Sequence, residues 1–257
     1  MEKELLLSYE EKAKYNDEDS LLFLSNYYYE NDRKEDAFKL LDKLANSDNS
    51  EALRKLAFFY QNGIGTTQNW ELAKYYYEKA YLLGDVVSGY NLAISYMENK
   101  EYLLAIPYLT NNRFEKHIPS IKALGDMYRL GLGVEQNPNI AINLYQEAVD
   151  LGDSSLIDQI GVIYYKNNDC LNAFNYFTKG ANILDKNALY HLAICYSKGE
   201  GTYRDAQKAI YYFELAAKQG NPKALYNLYL IYENGIGVNK DSAKAKSYLD
   251  KYENSKK

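Results

Sequence analysis

The stretch Ala188-Leu-Tyr-His-Leu-Ala-Ile-Cys-Tyr196 carries the pattern that decides the fold: a small residue, three variable positions, an aliphatic residue, a small residue, two variable positions and a closing tyrosine. The pattern recurs, with one departure in each of the segments 156–164 and 224–232, at 20–28, 52–60, 88–96, 120–128, 156–164 and 224–232. Steps of 32 and 36 residues alternate between the closing tyrosines. A period of this length is typical of stacked helical repeats. The sequence therefore predicts a repeat array, which presents a surface for holding a partner.

Each repeat is predicted to be a pair of helices. In 51–85, apolar residues fall at one-sided helical spacing in two successive stretches, which indicates two amphipathic helices. Gly63-Ile64-Gly65 separates them, and glycine readily adopts the positive φ that ends a helix. Small residues at Ala57 and Ala73 should let the two helices approach closely, with tyrosines filling the gaps beside them. The repeat is therefore predicted to be a helical hairpin.

The predicted boundaries describe one repeat domain, 1–257. A capping helix is expected at 1–15, followed by hairpins at 19–47, 51–84, 86–111, 118–152, 154–182, 186–220 and 222–252. Four hairpins contain a Gly-x-Gly turn, at 63–65, 131–133, 199–201 and 235–237, and the other three have shorter connections. Pro107 predicts a kink or a late start in its helix, because proline lacks the amide donor. The segment 111–119 is predicted to be irregular and the weakest joint of the array.

Composition restricts the class of partner. The net charge of −5 argues against nucleic-acid binding, which needs a basic surface to displace counterions. No apolar stretch approaches the roughly 20 residues that span a bilayer, so no membrane insertion is expected. The first residues lack the pattern of a secretory signal, and two cysteines do not make a disulfide framework. These features predict a cytoplasmic protein, and the alternative is a mature secreted form without its leader.

With these residues in view, the chain resembles a known repeat family. The segment 188–201, together with 208–221, looks like a Sel1-like repeat, and three further segment pairs match it: 52–65 with 73–84, 120–133 with 141–152, and 224–237 with 243–249. The short-turn hairpins are more similar to tetratricopeptide repeats. The resemblance implies an all-α fold, a right-handed α-solenoid superhelix of about seven helical hairpins with an N-terminal capping helix. It also implies that the first helices line the concave side, and that the protein acts as an adaptor or scaffold, in bacteria often in signalling, envelope assembly or host interaction.

No reaction centre is predicted. His117 and His191 are the only histidines, and neither has a second ligand at metal-binding spacing. Cys195 falls within a predicted helix, and no basic residue adjoins Cys170 to activate it. The Gly-x-Gly turns follow helices and lack the third glycine of a dinucleotide-binding motif. We therefore expect no catalytic residue, no metal site and no cofactor.

The candidate binding positions lie six and two residues before each closing tyrosine, because these should face the concave side if the family geometry holds. Most of the side chains there are apolar or tyrosine, which is typical of interface cores. An alternative stays open, in which they pack between successive first helices and are already covered. The predicted partner-binding residues are Arg54, Phe58, Tyr90, Ile94, Lys122, Asp126, Asp158, Tyr190, Ile194, Tyr226 and Leu230.

The predicted function is a non-catalytic protein–protein interaction module, an adaptor or scaffold that binds a partner protein or peptide on its concave surface. The alternative is a cytosolic immunity protein or inhibitor that neutralises a toxin enzyme. An enzyme that uses a carboxylate or Cys170 is the least favoured hypothesis. Replacing Tyr190 and Tyr226 by alanine is expected to abolish partner binding while leaving helix content and melting intact.

Overall fold

The computed structural model describes residues 2–256, and within this range the fold is all-α. The described residues form fifteen α-helices, which pair in succession into hairpins behind one N-terminal helix. The predicted fold class, an all-α solenoid of helical hairpins, is confirmed. The helices are α1 Glu2–Ala13, α2 Glu18–Glu30, α3 Lys34–Lys43, α4 Ser50–Asn62, α5 Trp70–Leu82, α6 Val86–Glu98, α7 Tyr102–Phe114, α8 Ile118–Leu130, α9 Pro138–Asp150, α10 Ile157–Lys166, preceded by a 3₁₀ turn at Ser154–Leu156, α11 Cys170–Asn182, α12 Lys186–Lys198, α13 Ala206–Lys218, α14 Pro222–Asn234 and α15 Ser242–Asn254.

The chain divides into two compact units. The N-terminal unit comprises the described residues up to Leu124 together with Leu132–Val134. The C-terminal unit comprises Gly125–Gly131 and the described residues from Glu135 onward. The N-terminal unit contains α1 and the hairpins α2/α3, α4/α5 and α6/α7, and the C-terminal unit contains α9 and the hairpins α10/α11, α12/α13 and α14/α15. The single repeat domain 1–257 stays a prediction.

Asparagine and aspartate side chains start most helices. At the first residue before the helix, each accepts a hydrogen bond from a backbone amide of the first turn, which would otherwise lack a partner. Asp85 accepts from the Ser88 amide at 2.9 Å in this way and so begins α6. The other capping residues are Asp17, Asn49, Asn69, Asn137, Asp169, Asp185, Asp205, Asn221 and Asp241.

Within a hairpin, a small residue of the first helix makes room for a large one of the second. Ala57 and Ala73 are both fully buried, as the predicted close approach requires. Gly161 occupies the position equivalent to Ala57, and a Cβ atom there would lie 2.6 Å from the Phe177 ring. A larger residue at this position would push the helices apart.

The Gly-x-Gly turn joins one repeat to the preceding one. Its first glycine ends the first helix in the left-handed conformation, as Gly63 does at φ 64°. Its second glycine lies against the start of the preceding second helix: a Cβ atom on Gly201 would lie 2.1 Å from the Cys170 carbonyl oxygen. Equivalent approaches occur for Gly65 at Lys34, Gly133 at Tyr102 and Gly237 at Ala206. The motif is thus a packing device at the joint between repeats.

Five closing tyrosines stack on a tyrosine of the second helix in the same hairpin. We call these pairs the tyrosine stacks. Their ring centroids lie between 5.5 and 6.1 Å apart, with interplanar angles of 3° to 25°. The stacks are Tyr60/Tyr76, Tyr96/Tyr108, Tyr164/Tyr176, Tyr196/Tyr212 and Tyr232/Tyr248. In the two hairpins without a stack, the equivalent second-helix residue is a leucine, Leu40 or Leu144.

Several stack hydroxyls bind a polar residue of the preceding repeat. Glu214 on α13 accepts hydrogen bonds from the hydroxyls of Tyr232 at 3.2 Å and Tyr248 at 3.3 Å. Lys244 donates to the same carboxylate at 3.1 Å and to the Tyr232 hydroxyl at 2.5 Å. These bonds raise the pKa of Lys244. Tyr176 likewise donates to Gln146 at 2.8 Å. The stacks therefore fasten successive repeats as well as the two helices of one hairpin.

The predicted late start at Pro107 and the predicted irregular segment 111–119 are wrong, whereas the kink at Pro107 and the weak joint stay predictions. α7 begins at Tyr102, six residues after the closing tyrosine Tyr96, and other short-turn hairpins begin their second helix at the same offset, so Pro107 causes no late start. The segment 111–119 is mostly helical, because α7 continues to Phe114 and α8 begins at Ile118. Asn112 explains the continuity: its side-chain amide donates to the Val86 carbonyl at 2.8 Å and to the Ser120 hydroxyl at 3.2 Å.

Candidate functional site

The candidate site is the first-helix face, defined as the side chains six and two residues before each closing tyrosine. In the N-terminal unit these are Leu22, Asn26, Arg54, Phe58, Tyr90, Ile94 and Lys122. In the C-terminal unit they are Asp126, Asp158, Val162, Tyr190, Ile194, Tyr226 and Leu230. Most are half-buried, and the exceptions are Phe58 and Tyr226, which are 40% and 41% exposed.

Polar members of the first-helix face in the N-terminal unit link neighbouring hairpins. The Arg54 guanidinium donates from Nε to the Asp85 carboxylate at 2.9 Å, and Asp85 in turn caps α6. Lys55, beside Arg54, donates to the Asn26 side-chain oxygen at 2.5 Å. These bonds hold neighbouring helices together. Because Arg54 is paired with Asp85, its positive charge is already neutralised before any partner binds.

The charged members of the first-helix face in the C-terminal unit are also paired with other residues of the protein. Asp158 lies 2.7 Å from Nδ1 of His191 on the next first helix. Asp126 accepts hydrogen bonds from Arg129 at 2.6 Å and from the Tyr145 hydroxyl at 2.7 Å. Burial and the Asp126 carboxylate raise the pKa of Tyr145 well above its ordinary range. The remaining predicted charged residue, Lys122 of the N-terminal unit, also interacts with another residue of the protein. All four therefore have structural partners.

The apolar members of the first-helix face are partly buried against the core and partly exposed. Val162, Tyr190 and Ile194 pack against the buried core of α11 to α15 and remain partly exposed. The Tyr190 ring lies 5.8 Å from that of Phe213, a core residue. Alanine at Tyr190 should therefore lower the melting temperature, which revises the expectation that the fold would be unaffected. In the N-terminal unit, Tyr90 contacts the His117 ring edge-on at 5.3 Å, and burial lowers the pKa of His117.

Three grooves lie between neighbouring first helices. One of about 340 Å³ lies between α2 and α4 and includes Asn26 and Phe58. A second, of about 480 Å³, lies between α8 and α10 and includes Val162. The third, of about 340 Å³, lies between α12, α14 and the end of α15. We call the third the C-terminal groove; its lining residues include Tyr190, Lys223, Tyr226, Tyr252 and Lys256.

The described residues contain no cluster of three or more His, Cys, Asp or Glu side chains that could hold a metal ion. Cys195 is buried, and burial raises the pKa of its thiol to about 12, so it is protonated and a poor nucleophile near neutral pH. Cys170 is half-buried and has a free thiol. No helix within residues 2–256 is both long and apolar enough to cross a membrane.

Comparison with protein families identifies the repeat. The model of the Sel1 repeat matches residues 50–85, 119–153, 186–221 and 222–251, which together make up more than half of the chain. The chain belongs to the Sel1 repeat family. The four matched segments are the hairpins with a Gly-x-Gly turn, so the short-turn hairpins of this Sel1 repeat protein lie between or before the matched repeats. Sel1 repeats are generally a non-catalytic fold for protein interaction.

Several solved structures are similar to this chain to different degrees. A Sel1 repeat protein from Oxalobacter formigenes is 27% identical, with a TM-score of 0.66 over 90% of this chain and 96% of that one. A protective antigen of uropathogenic Escherichia coli with an SLR fold is 24% identical, with a TM-score of 0.78 over 97% of this chain. This Sel1 repeat protein spans 56% of that antigen's length. An immunity protein from Pseudomonas aeruginosa is 21% identical over 80% of this chain and 81% of that one, with a TM-score of 0.47. A comparison with curated proteins found no significant match.

Sequence reasoning missed several residues of the C-terminal groove. Lys223, Tyr252 and Lys256 line it but do not occupy the two positions used to define the first-helix face. Lys223 had a usable signal, because it lies three residues before Tyr226 and therefore on the same side of α14. No sequence signal identified Tyr252 and Lys256, because they follow the last closing tyrosine and have no equivalent residues in a further repeat.

Proposed function

We propose that this Sel1 repeat protein is a non-catalytic adaptor or scaffold that binds a partner protein or peptide on its first-helix face. Phe58 and Tyr226 carry the proposal. Both are aromatic side chains on first helices, and both are about two-fifths exposed although their neighbours are half-buried. Aromatic side chains fixed on rigid helices lose little conformational entropy on binding and are enriched among interface hot spots.

The charged residues of the face support a positioning role. Because Arg54, Asp126 and Asp158 are held by neighbours within the protein, their geometry is set before a partner arrives. Such preorganised polar groups contribute to specificity more than to affinity. The partner is proposed to be a protein rather than a nucleic acid, because the chain carries a net charge of −5. The two free thiols fit a reducing, cytoplasmic setting.

The test begins with affinity capture of partners from the native host by the wild-type protein, identified by mass spectrometry. Binding of a purified partner is then measured for Tyr226→Ala and for Tyr211→Ala, a matched change of a tyrosine on the second helix α13 that is 57% exposed. Phe58→Ala and Tyr75→Ala form the same pair in the N-terminal unit, where Tyr75 is 56% exposed on α5.

The proposal expects a first-helix variant to weaken binding while its second-helix control does not. Truncating a central aromatic residue should cost about 2 kcal/mol or more, roughly a thirtyfold loss of affinity. Equal affinities of both first-helix variants and their controls would overturn the proposal. The toxin-inhibitor hypothesis remains a separate prediction from the sequence. If the captured partner is a toxin enzyme, inhibition of that purified enzyme by this protein would distinguish an inhibitor from an adaptor.

A further inference from the structure

The C-terminal groove differs from the other two in its charges. Its lining contains two lysines, Lys223 and Lys256, and no acidic residue. The groove between α2 and α4 contains Glu30, and its Lys55 is paired with Glu51 at 3.0 Å. The groove between α8 and α10 also has two basic residues and no acidic residue in its lining, but its Arg129 is paired with Asp126, which leaves only Lys166. Of the three, the C-terminal groove therefore has the largest uncompensated positive charge.

Both lysines lie over tyrosine rings and have no ion pair among the described residues. Lys256 Nζ is 4.2 Å from the centroid of the Tyr252 ring, and Lys223 Nζ is 6.0 Å from that of Tyr190. Nearby lysines of the same unit do pair with carboxylates, as Lys244 does with Glu214 at 3.1 Å. A cation held on aromatic faces without an anionic partner is available to an incoming carboxylate.

The tyrosine hydroxyls of the groove are also without partners in the described part of the chain. Tyr190, Tyr226 and Tyr252 contribute rings to the groove, and none of the three hydroxyls hydrogen-bonds to another residue within 2–256. The rings of Tyr226 and Tyr252 lie 5.2 Å apart and form one aromatic wall. The groove thus combines two ammonium groups and three phenol hydroxyls, all able to donate, with apolar ring faces.

The C-terminal unit as a whole, groove lysines included, is neutral, so the excess negative charge of the protein does not surround the groove. The sequence of the C-terminal unit contains 15 acidic and 15 basic residues, so the net charge of −5 belongs to the N-terminal unit. An occupant that satisfies the groove must supply several hydrogen-bond acceptors with negative charge, together with flat or apolar side chains. An acidic peptide with aromatic residues has both properties.

We propose that the C-terminal groove binds an acidic, aromatic-containing peptide segment of a partner protein. Carboxylates of the peptide would bind Lys223 and Lys256, and its aromatic side chains would pack on Tyr226 and Tyr252. The inference rests on the proposed function and specifies the partner segment for one part of the first-helix face.

The test uses a fluorescein-labelled octapeptide of alternating glutamate and tyrosine, and a second octapeptide with glutamine in place of each glutamate. Binding to the full-length protein is followed by fluorescence anisotropy at about 50 mM and about 300 mM salt. The acidic peptide should bind at least about tenfold more tightly than the glutamine peptide, and the difference should shrink at the higher salt concentration.

The variant Lys223→Gln with Lys256→Gln should weaken binding of the acidic peptide at least about tenfold. The control, Lys218→Gln with Lys246→Gln, removes the same charge from two exposed lysines outside the groove and should leave binding within about twofold. A thermal melt of each variant checks the fold. Equal binding of both peptides, no binding of either, or equal loss in both variants would overturn the inference. Tighter binding of a labelled single-stranded oligonucleotide would also overturn it.

These results are separate from the test of the proposed function. If Tyr226→Ala weakens partner binding and Tyr211→Ala does not, while the two peptides bind alike, the inference fails and the adaptor function stands. If no first-helix variant affects partner binding, the proposed function itself fails.

Discussion

Tyr226 and Tyr232 lie six residues apart on α14, yet the structure uses them differently. Tyr232 is buried, stacks on Tyr248 and binds both Glu214 and Lys244. Tyr226 is 41% exposed, and its hydroxyl has no partner in the described residues. The same contrast separates the tyrosine stacks from the first-helix face. The stacks hold repeats together, whereas the face keeps aromatic side chains partly exposed, which is where the proposed function places binding.

Alanine at Tyr232 should produce the largest loss of stability. Removing a buried aromatic ring leaves a cavity, and Glu214 and Lys244 lose a shared partner, so the free energy of unfolding should fall by about 3–5 kcal/mol. Alanine at Tyr226 should cost about 1 kcal/mol or less, because much of that ring is exposed. Urea unfolding followed by circular dichroism compares the two variants. Equal losses would mean that the stacks and the face are not distinct.

A glycine pair tests whether the Gly-x-Gly turn is a joint between repeats. At Gly201, φ is 71° and a Cβ atom would meet the Cys170 carbonyl oxygen, so Gly201→Ala should cost about 2–4 kcal/mol from strain and overpacking. At Gly220, φ is 82° but no atom lies within 4 Å of a Cβ atom. Gly220→Ala should therefore cost only the backbone strain, about 1 kcal/mol. Unfolding in urea measures both, and similar costs would show that the close approach at Gly201 is unimportant.

The stacks also predict a loss of stability in alkali. Burial and the Glu214 carboxylate raise the pKa of Tyr248 to about 12. The unfolded chain releases this proton near pH 10, so the contribution of the phenol is fully present below about pH 10 and is lost as the pH rises through about 12. The melting temperature should fall over this range, and it should fall less in Tyr248→Phe. An identical fall of the melting temperature in the wild type and the variant would exclude Tyr248 as a cause of the loss of stability in alkali.

Sequence periodicity was enough to predict the helices and the hairpins, because the interior of each repeat is built from local, regularly spaced apolar residues. The prediction failed where a side chain bonds to residues that are distant in sequence. The segment 111–119 looked irregular in sequence, but Asn112 bonds to Val86 and Ser120 and so supports the end of α7 and the start of α8.

The candidate site was less predictable than the fold. Spacing identified which positions share a side of the first helices, and Phe58 and Tyr226 are exposed there. Spacing did not reveal that Arg54 is paired with Asp85 or Asp158 with His191, because these partners belong to the next repeat and depend on how the repeats pack. The stacks were also missed, although tyrosines recur 12 or 16 residues after five closing tyrosines.

The division between stacks and face is tested most directly by the dissociation constant of a captured partner, measured by calorimetry for the wild type, Tyr226→Ala and Tyr211→Ala. The account predicts that Tyr226→Ala raises the dissociation constant roughly thirtyfold, while Tyr211→Ala leaves it unchanged and both variants stay folded. Unchanged affinity in a folded Tyr226→Ala protein, or an equal loss in Tyr211→Ala, would contradict it.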